Sequence, residues 1–313
     1  MQHLRVITPT RHTAAVRDLL LAESGATHVT VHPGVALQPA GDVVEADVTR
    51  EAVDDLFGRL CALGVDHTGG VTLEAIGTTL SDSADRAEEA VPGDPMDAVV
   101  WDEVVARTGE ESRLSITFGV FLTIACLLAA IGAITNSPVT VVGACVMGPE
   151  FGPLAAVAVG AVLRRADLVR RGALALAIGF PLAMAVTAGA TVLFDALDWI
   201  DSTDLDSLDQ VDFIYQVGPF SLVVAVLAGA AGMLALTSAR SAALVGVFIS
   251  VTTVPAAGFA ALALVEGRLV EAGASALQLV VNIVGIVLAA GLVLVLSRRS
   301  AARRGELRRL SSG

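Results

Sequence analysis

The chain contains no lysine; all 20 of its basic residues are arginine. Against them stand 32 acidic residues, a formal net charge of −12. A surface of that sign argues against nucleic acid as a partner, since phosphate binding needs clustered positive charge. Three cysteines give no disulfide framework: Cys61 lies in a polar region, while Cys126 and Cys145 lie in apolar runs, as small core hydrophobes do. Met1 to Thr10 has no long apolar segment, so no signal peptide is expected and the N-terminus should stay in the cytoplasm. The apolar runs also lack a His/Glu zinc motif, a Ser/His pair, an Asp dyad or a phosphate-cradling loop. Neither an enzyme nor a cofactor or metal centre is therefore expected.

What the chain has is apolar length. Its mean hydropathy is +0.73, with 54% hydrophobic but only 4% aromatic residues, and the excess lies after residue 113. Six runs are long enough to span about 30 Å of hydrocarbon at roughly 1.5 Å per residue. They lie near 114–134, 137–163, 172–194, 219–237, 241–265 and 275–296. Arginines fall on alternate loops: Arg164, Arg165, Arg170 and Arg171 after the second run, Arg240 after the fourth, and Arg298 onward after the sixth. By the positive-inside rule both termini are cytoplasmic, in a multi-pass protein of the cell membrane. The loop carrying Asp195, Asp198, Asp201, Asp204, Asp206, Asp209 and Asp212 is then external. It lacks the ligand spacing of a calcium loop and is expected to be solvated.

The expected organisation has four parts. Residues 1–80 read as strand (Leu4 to Pro9), helix (Thr13 to Glu23), two alternating strands (to Leu37, then Asp42 to Val48), helix (Glu51 to Leu63) and strand (Val71 to Ile76). That βαββαβ order is the ferredoxin-like, split βαβ arrangement. His28 and His32, four apart on a strand, share a face, but the spacing is too generic to assign a metal. Residues 81–113 form an acidic connector with a short amphipathic helix, Met96 to Arg107, whose Val99, Val100, Trp101, Val104 and Val105 suit the membrane interface or, better for an acidic helix, a neighbouring domain. Residues 114–296 are the membrane domain and 297–313 a basic cytoplasmic tail.

The second run is broken in its middle by Gly148-Pro149-Glu150-Phe151-Gly152-Pro153. Pro149 frees the carbonyl of Cys145, and Pro153 that of Pro149. Freed groups are tolerated in a bilayer only where protein or a water-filled cavity surrounds them. The fifth run carries a like signal, Ser250-Val251-Thr252-Thr253-Val254-Pro255, and a break is expected there too. Val142-Gly143 matches Val245-Gly246 at an offset of 103, Pro153 matches Pro255 at 102, and Leu168-Val169 matches Leu269-Val270 at 101. Three runs separate the copies, so the halves would cross in opposite directions, a 3+3 inverted repeat. Paired interrupted helices point to a substrate site in secondary transporters. The candidate ion- or solute-binding residues are Cys145, Gly148, Pro149, Glu150, Gly152, Pro153, Ser250, Val251, Thr252, Thr253, Pro255 and Asn282. Small-residue faces such as Ala225, Gly229 and Gly232 invite helix contacts, within one chain or between copies in a homo-oligomer.

The Asn-Ser-Pro turn at Asn136 to Pro138, the G-A-x4-P-x2-G-P element from Gly143 to Pro153, Val254-Pro255 and Asn282-x2-Gly285-Ile286 follow the N-terminal βαββαβ part. Together they resemble the bacterial and archaeal membrane family catalogued as domain-of-unknown-function number 389. The resemblance implies an integral membrane protein in two parts with no assigned activity. The chain departs from the family pattern at Glu150, where an apolar residue is usual, and at Pro255, where two adjacent prolines are common. The expected function is a transporter or channel-like carrier of a small ion or solute with a cytoplasmic regulatory or oligomerisation domain. The competing class is a membrane-anchored sensor or scaffold that moves nothing.

Overall fold

The computed structural model describes residues 1–91, 93, 98–200, 219–238 and 243–311, with side chains left out at 219, 239–252 and 301–313. The chain divides into two compact units, Met1–Glu103 with Thr237–Ala239, and Val104–Leu236 with Arg240–Gly313.

The first unit is a four-stranded antiparallel sheet with the order β2-β3-β1-β4. Its elements are β1 (Gln2–Thr8), α1 (Thr10–Leu21), β2 (Ala26–Leu37), β3 (Ala40–Val48), α2 (Arg50–Ala62), the short α3 (Val65–Thr68) and β4 (Gly70–Ala75). Alternation explains the sheet. Leu4 and Val6 on β1 lie opposite Ala46 and Val44 on β3, and all four are buried, while the residues between them face the other way. Val16 and Leu20 of α1 and Val53, Leu56 and Leu60 of α2 recur at helical spacing and close over that face. Each such side chain contributes about 1.5–3 kcal/mol on burial.

Two features of this unit escape the sequence reading. A helix, α4 (Asp82–Ala90), stands in the part of the acidic connector where no helix is expected. Ser81 caps it by accepting from the Ser83 N–H, and Asp82 and Asp85 occupy its first turn, where acids favour the helix dipole. The amphipathic helix expected from Met96 starts later, as α5 (Trp101–Glu111). Its start is set by Asp54, whose carboxylate accepts the Trp101 N–H at 3.1 Å. Val100, just before it, is 1% exposed in the core of the first unit.

The second unit is helical: α6 (Ile116–Ile134), α7 (Pro138–Met147), α8 (Phe151–Leu163), α9 (Ala166–Ala196), α10 (Pro219–Thr237), α11 (Ala243–Val265) and α12 (Leu269–Ser311). Ser115 and Ser137 cap α6 and α7 by accepting the N–H of Phe118 and Thr140. Among the described residues four helices are long and apolar enough to cross a membrane, and five if α7 and α8 count as one span bent by 53°. These mark a multi-pass membrane protein. The expectation of six spans is met in part, since only the apolar stretch Thr253–Val265 of α11 enters that test.

Burial in this unit is inverted relative to a soluble protein. On α12 Leu277, Val280, Val284, Leu288, Leu292 and Leu296 are exposed, while Ser275, Gln278 and Asn282 are buried. Apolar groups outside and polar groups inside is the arrangement a lipid solvent demands. Small residues bring helices together: a side chain on Gly258 of α11 would come within 2.6 Å of the Cys126 carbonyl oxygen on α6. Gly229 of α10 sits in the same way against the Ile286 carbonyl of α12.

Candidate functional site

The break between α7 and α8 follows from its residues. Gly148 has φ −67° and ψ 119°, the extended conformation imposed on a residue before proline. Helix α8 starts again at Phe151, so Pro153 falls in its first turn, where a missing N–H is not needed. Gly152 lets the restarted helix meet α5: a side chain there would come within 2.5 Å of Glu111 Cβ. The expected second break is corrected by the structure. Helix α11 runs unbroken from Ala243 to Val265 with Pro255 inside it. One proline removes one hydrogen bond, and here no glycine adjoins it, while Val254, Ala256, Ala257 and Phe259 are all buried around it.

Glu150, the residue before α8, is fully buried. Thr253 of α11, also fully buried, donates its hydroxyl to Glu150 Oε1 at 2.6 Å. The two residues stand 103 apart. Beside them a cavity of about 470 Å3 is lined by Gly148, Pro149, Phe151 and Gly152 of the break, by Ser115, Thr117, Phe118 and Phe121 of α6, and by Glu110, Glu111 and Arg113. Glu111 is paired with Arg107 at 3.0 Å.

A second polar group lies between α10 and α12. Gln278 Nε2 donates to Ser221 Oγ at 3.0 Å, and Ser221 donates to Asn282 Oδ1 at 3.2 Å. Gln278 Oε1 and Ser275 Oγ are buried with no hydrogen-bond partner among the described residues. Of this group only Asn282 was expected. Ser275, Gln278 and Asn282 recur at helical spacing on an otherwise apolar run, and that is the signal for the rest.

The candidate residues are thus partly assembled. Gly148, Pro149 and Gly152 line the cavity, and Glu150 and Thr253 bond to each other. Pro153 belongs to α8 and Pro255 to α11. Cys145 is buried on α7, its thiol donating to the Val141 carbonyl at 3.1 Å. Asn282 joins the α10–α12 group. The side chains of Ser250, Val251 and Thr252 lie outside the described residues. The same holds for Arg240 and for the aspartates from Asp201 to Asp212.

The two histidines of β2 take different partners. A bulge between Thr27 and Thr30 shifts the register, and His28 takes a positive φ of 51°. His28 Nδ1 bonds Asp47 Oδ2 at 2.7 Å while its Nε2 bonds Ser81 and Ser83 at 2.9 Å, whereas His32 pairs with Glu45. His3 takes the other oxygen of Asp47 at 2.8 Å. Partial burial pushes the Asp47 carboxyl up, but hydrogen bonds from His28 and His3, with the charge on their rings, outweigh it and hold it below the usual carboxylate range.

Residues 145–288 match the family model described as a domain of unknown function, DUF389. Over this stretch the chain resembles DUF389. The DUF389 region takes in the end of α7, the break, Thr253 and the polar group on α12. No curated protein and no solved structure matches the chain.

Proposed function

We propose that the chain is a transporter or channel-like carrier of a small cation, built from two three-span halves that cross the membrane in opposite directions, with both termini cytoplasmic. The soluble unit then serves regulation or the assembly of copies. The observation that carries this reading is the contact between Glu150 and Thr253. Their separation of 103 falls within the offsets of 101 to 103 that relate the two copies of the sequence repeat, which supports their standing at or next to equivalent positions of the two halves. Equivalent residues touch where a two-fold axis passes between them. The packing agrees: α8 lies on α12 and α11 lies on α9, the same pairing with the halves exchanged.

The chemistry favours a cation. No arginine or histidine falls within the apolar runs, and the chain has no lysine. A carboxylate at that depth costs several kcal/mol when ionised and uncompensated, so it draws a proton or a metal cation to itself. The cavity at the break is lined by Pro149 and Phe151, the residues on either side of Glu150, which supports a route to it. Purified protein in liposomes should pass protons or sodium down an imposed gradient, and Glu150→Gln should lower that flux at least tenfold with an unchanged gel-filtration profile. Liposomes that stay tight to protons, sodium and potassium would leave the membrane-anchored sensor or scaffold.

A further inference from the structure

On the repeat reading the cavity at the break corresponds to the α10–α12 polar group, whose residues bond to one another. Phe118 lines the cavity and packs against Gly179, where a side chain would come within 2.7 Å of its ring. Ser221 stands 103 positions after Phe118, and its partners Gln278 and Asn282 bracket Val280, which the offset of 101 between the third helices pairs with Gly179. On the repeat reading one helix contact thus occurs twice: as aromatic ring on glycine beside the cavity, and as a chain of hydrogen bonds between α10 and α12.

The closed version holds an anomaly. Gln278 is 4% exposed and Ser275 fully buried, yet Gln278 Oε1 and Ser275 Oγ have no partner among the described residues. A buried polar atom left so costs about 1–3 kcal/mol. Such groups call for an explanation in a native structure. Water or a cation reaching them in a second conformation supplies one.

We propose that Ser221, Ser275, Gln278 and Asn282 line the outward-facing access path, shut in this conformation and opened when the cavity at the break closes. The inference rests on the inverted-repeat reading above. In the open form the hydroxyl and carboxamide oxygens replace part of the hydration shell of a passing cation, and in the closed form they bond to one another. The two half-paths alternate because each half of the repeat takes the conformation the other has left.

Thiol labelling tests this on the full chain in sealed right-side-out vesicles. Ser275→Cys, nearly isosteric, and Gln278→Cys are each treated from outside with a membrane-impermeant methanethiosulfonate, against the unsubstituted chain, whose three cysteines set the baseline. A path open for a minor share of the time gives labelling roughly ten- to a thousandfold slower than an exposed Phe220→Cys control, and above baseline. Thr117→Trp, a wedge in the opposite cavity, should slow labelling further. Labelling at baseline in both variants, with normal gel filtration, overturns the proposal. Labelling that the wedge leaves unchanged also overturns it, because a static wet seam would behave so. Cation flux is read separately: flux without labelling removes this path and leaves the transport reading, whereas labelling without flux removes transport.

Discussion

The N-terminal and C-terminal halves of the membrane unit's sequence each carry proline in an apolar helix, with opposite outcomes. In the first half Gly148-Pro149 and Gly152-Pro153 stand four residues apart, and the helix stops, bends by 53° and restarts. In the second half a lone Pro255 is carried through one continuous helix, as Pro181 is in α9. Proline alone, then, does not unwind a membrane helix. A glycine able to take the extended conformation, and a second proline placed where a new first turn begins, decide the matter. A break also needs something to occupy it, and the first half supplies a carboxylate and a cavity.

The largest effect should come from filling the close approach of α11 to α6. Gly258→Val drives a side chain into the α6 backbone and should prevent recovery of folded, monodisperse protein from detergent. The sharpest comparison is between prolines. Pro255→Ala restores an N–H inside a helix that already exists, and should raise the thermal midpoint, since proline costs up to about 3 kcal/mol relative to alanine there. Pro149→Ala lets α7 and α8 approach one helix and should lower cation flux without a matching gain in midpoint. An equal response from both would erase the distinction between them.

Ser221→Ala takes from Gln278 and Asn282 their shared partner and should cost about 1–3 kcal/mol in thermal unfolding. Ala225→Ser, one turn further along α10, is the control for adding a hydroxyl. The smallest effect lies in the soluble unit, whose polar cluster titrates as the α10–α12 group cannot. The folded pKa of Asp47 is lowered, so its contribution is present above the ordinary carboxylate pKa and lost as pH falls through the lower folded value. Amide exchange in α4, held through His28 on Ser81 and Ser83, should therefore quicken as the pH falls below the ordinary carboxylate range, and Asp47→Asn should flatten that change.

Much of this was legible before any coordinates. Strand alternation and helical spacing give the βαββαβ order, because each element buries one face against the same core. The α7–α8 break is legible because Gly148-Pro149 is a local instruction. Helix α4 was hidden by polarity: its signal is a cap and two acids, without an apolar stripe. The persistence of α11 through Pro255 depends on Ala256, Ala257 and Phe259 packing on other helices, which no local pattern records. Glu150 and Thr253 were each legible as polar residues close to a proline, but their hydrogen bond was not, because it joins residues 103 apart that only the packing of α11 brings together.

The outer stripe of α12 from Leu277 to Leu296 rises about 29 Å at 1.5 Å per residue, close to the thickness of a bilayer's oily layer. This helix therefore works as a depth gauge, with little reason to tilt in lipids of ordinary acyl length and cause to lean in longer or shorter ones. Gln278 and Asn282 sit near one end of the gauge, a turn or two below the headgroups, so wetting them needs only a shallow dent in the surface and not a hole through the whole sheet of lipid.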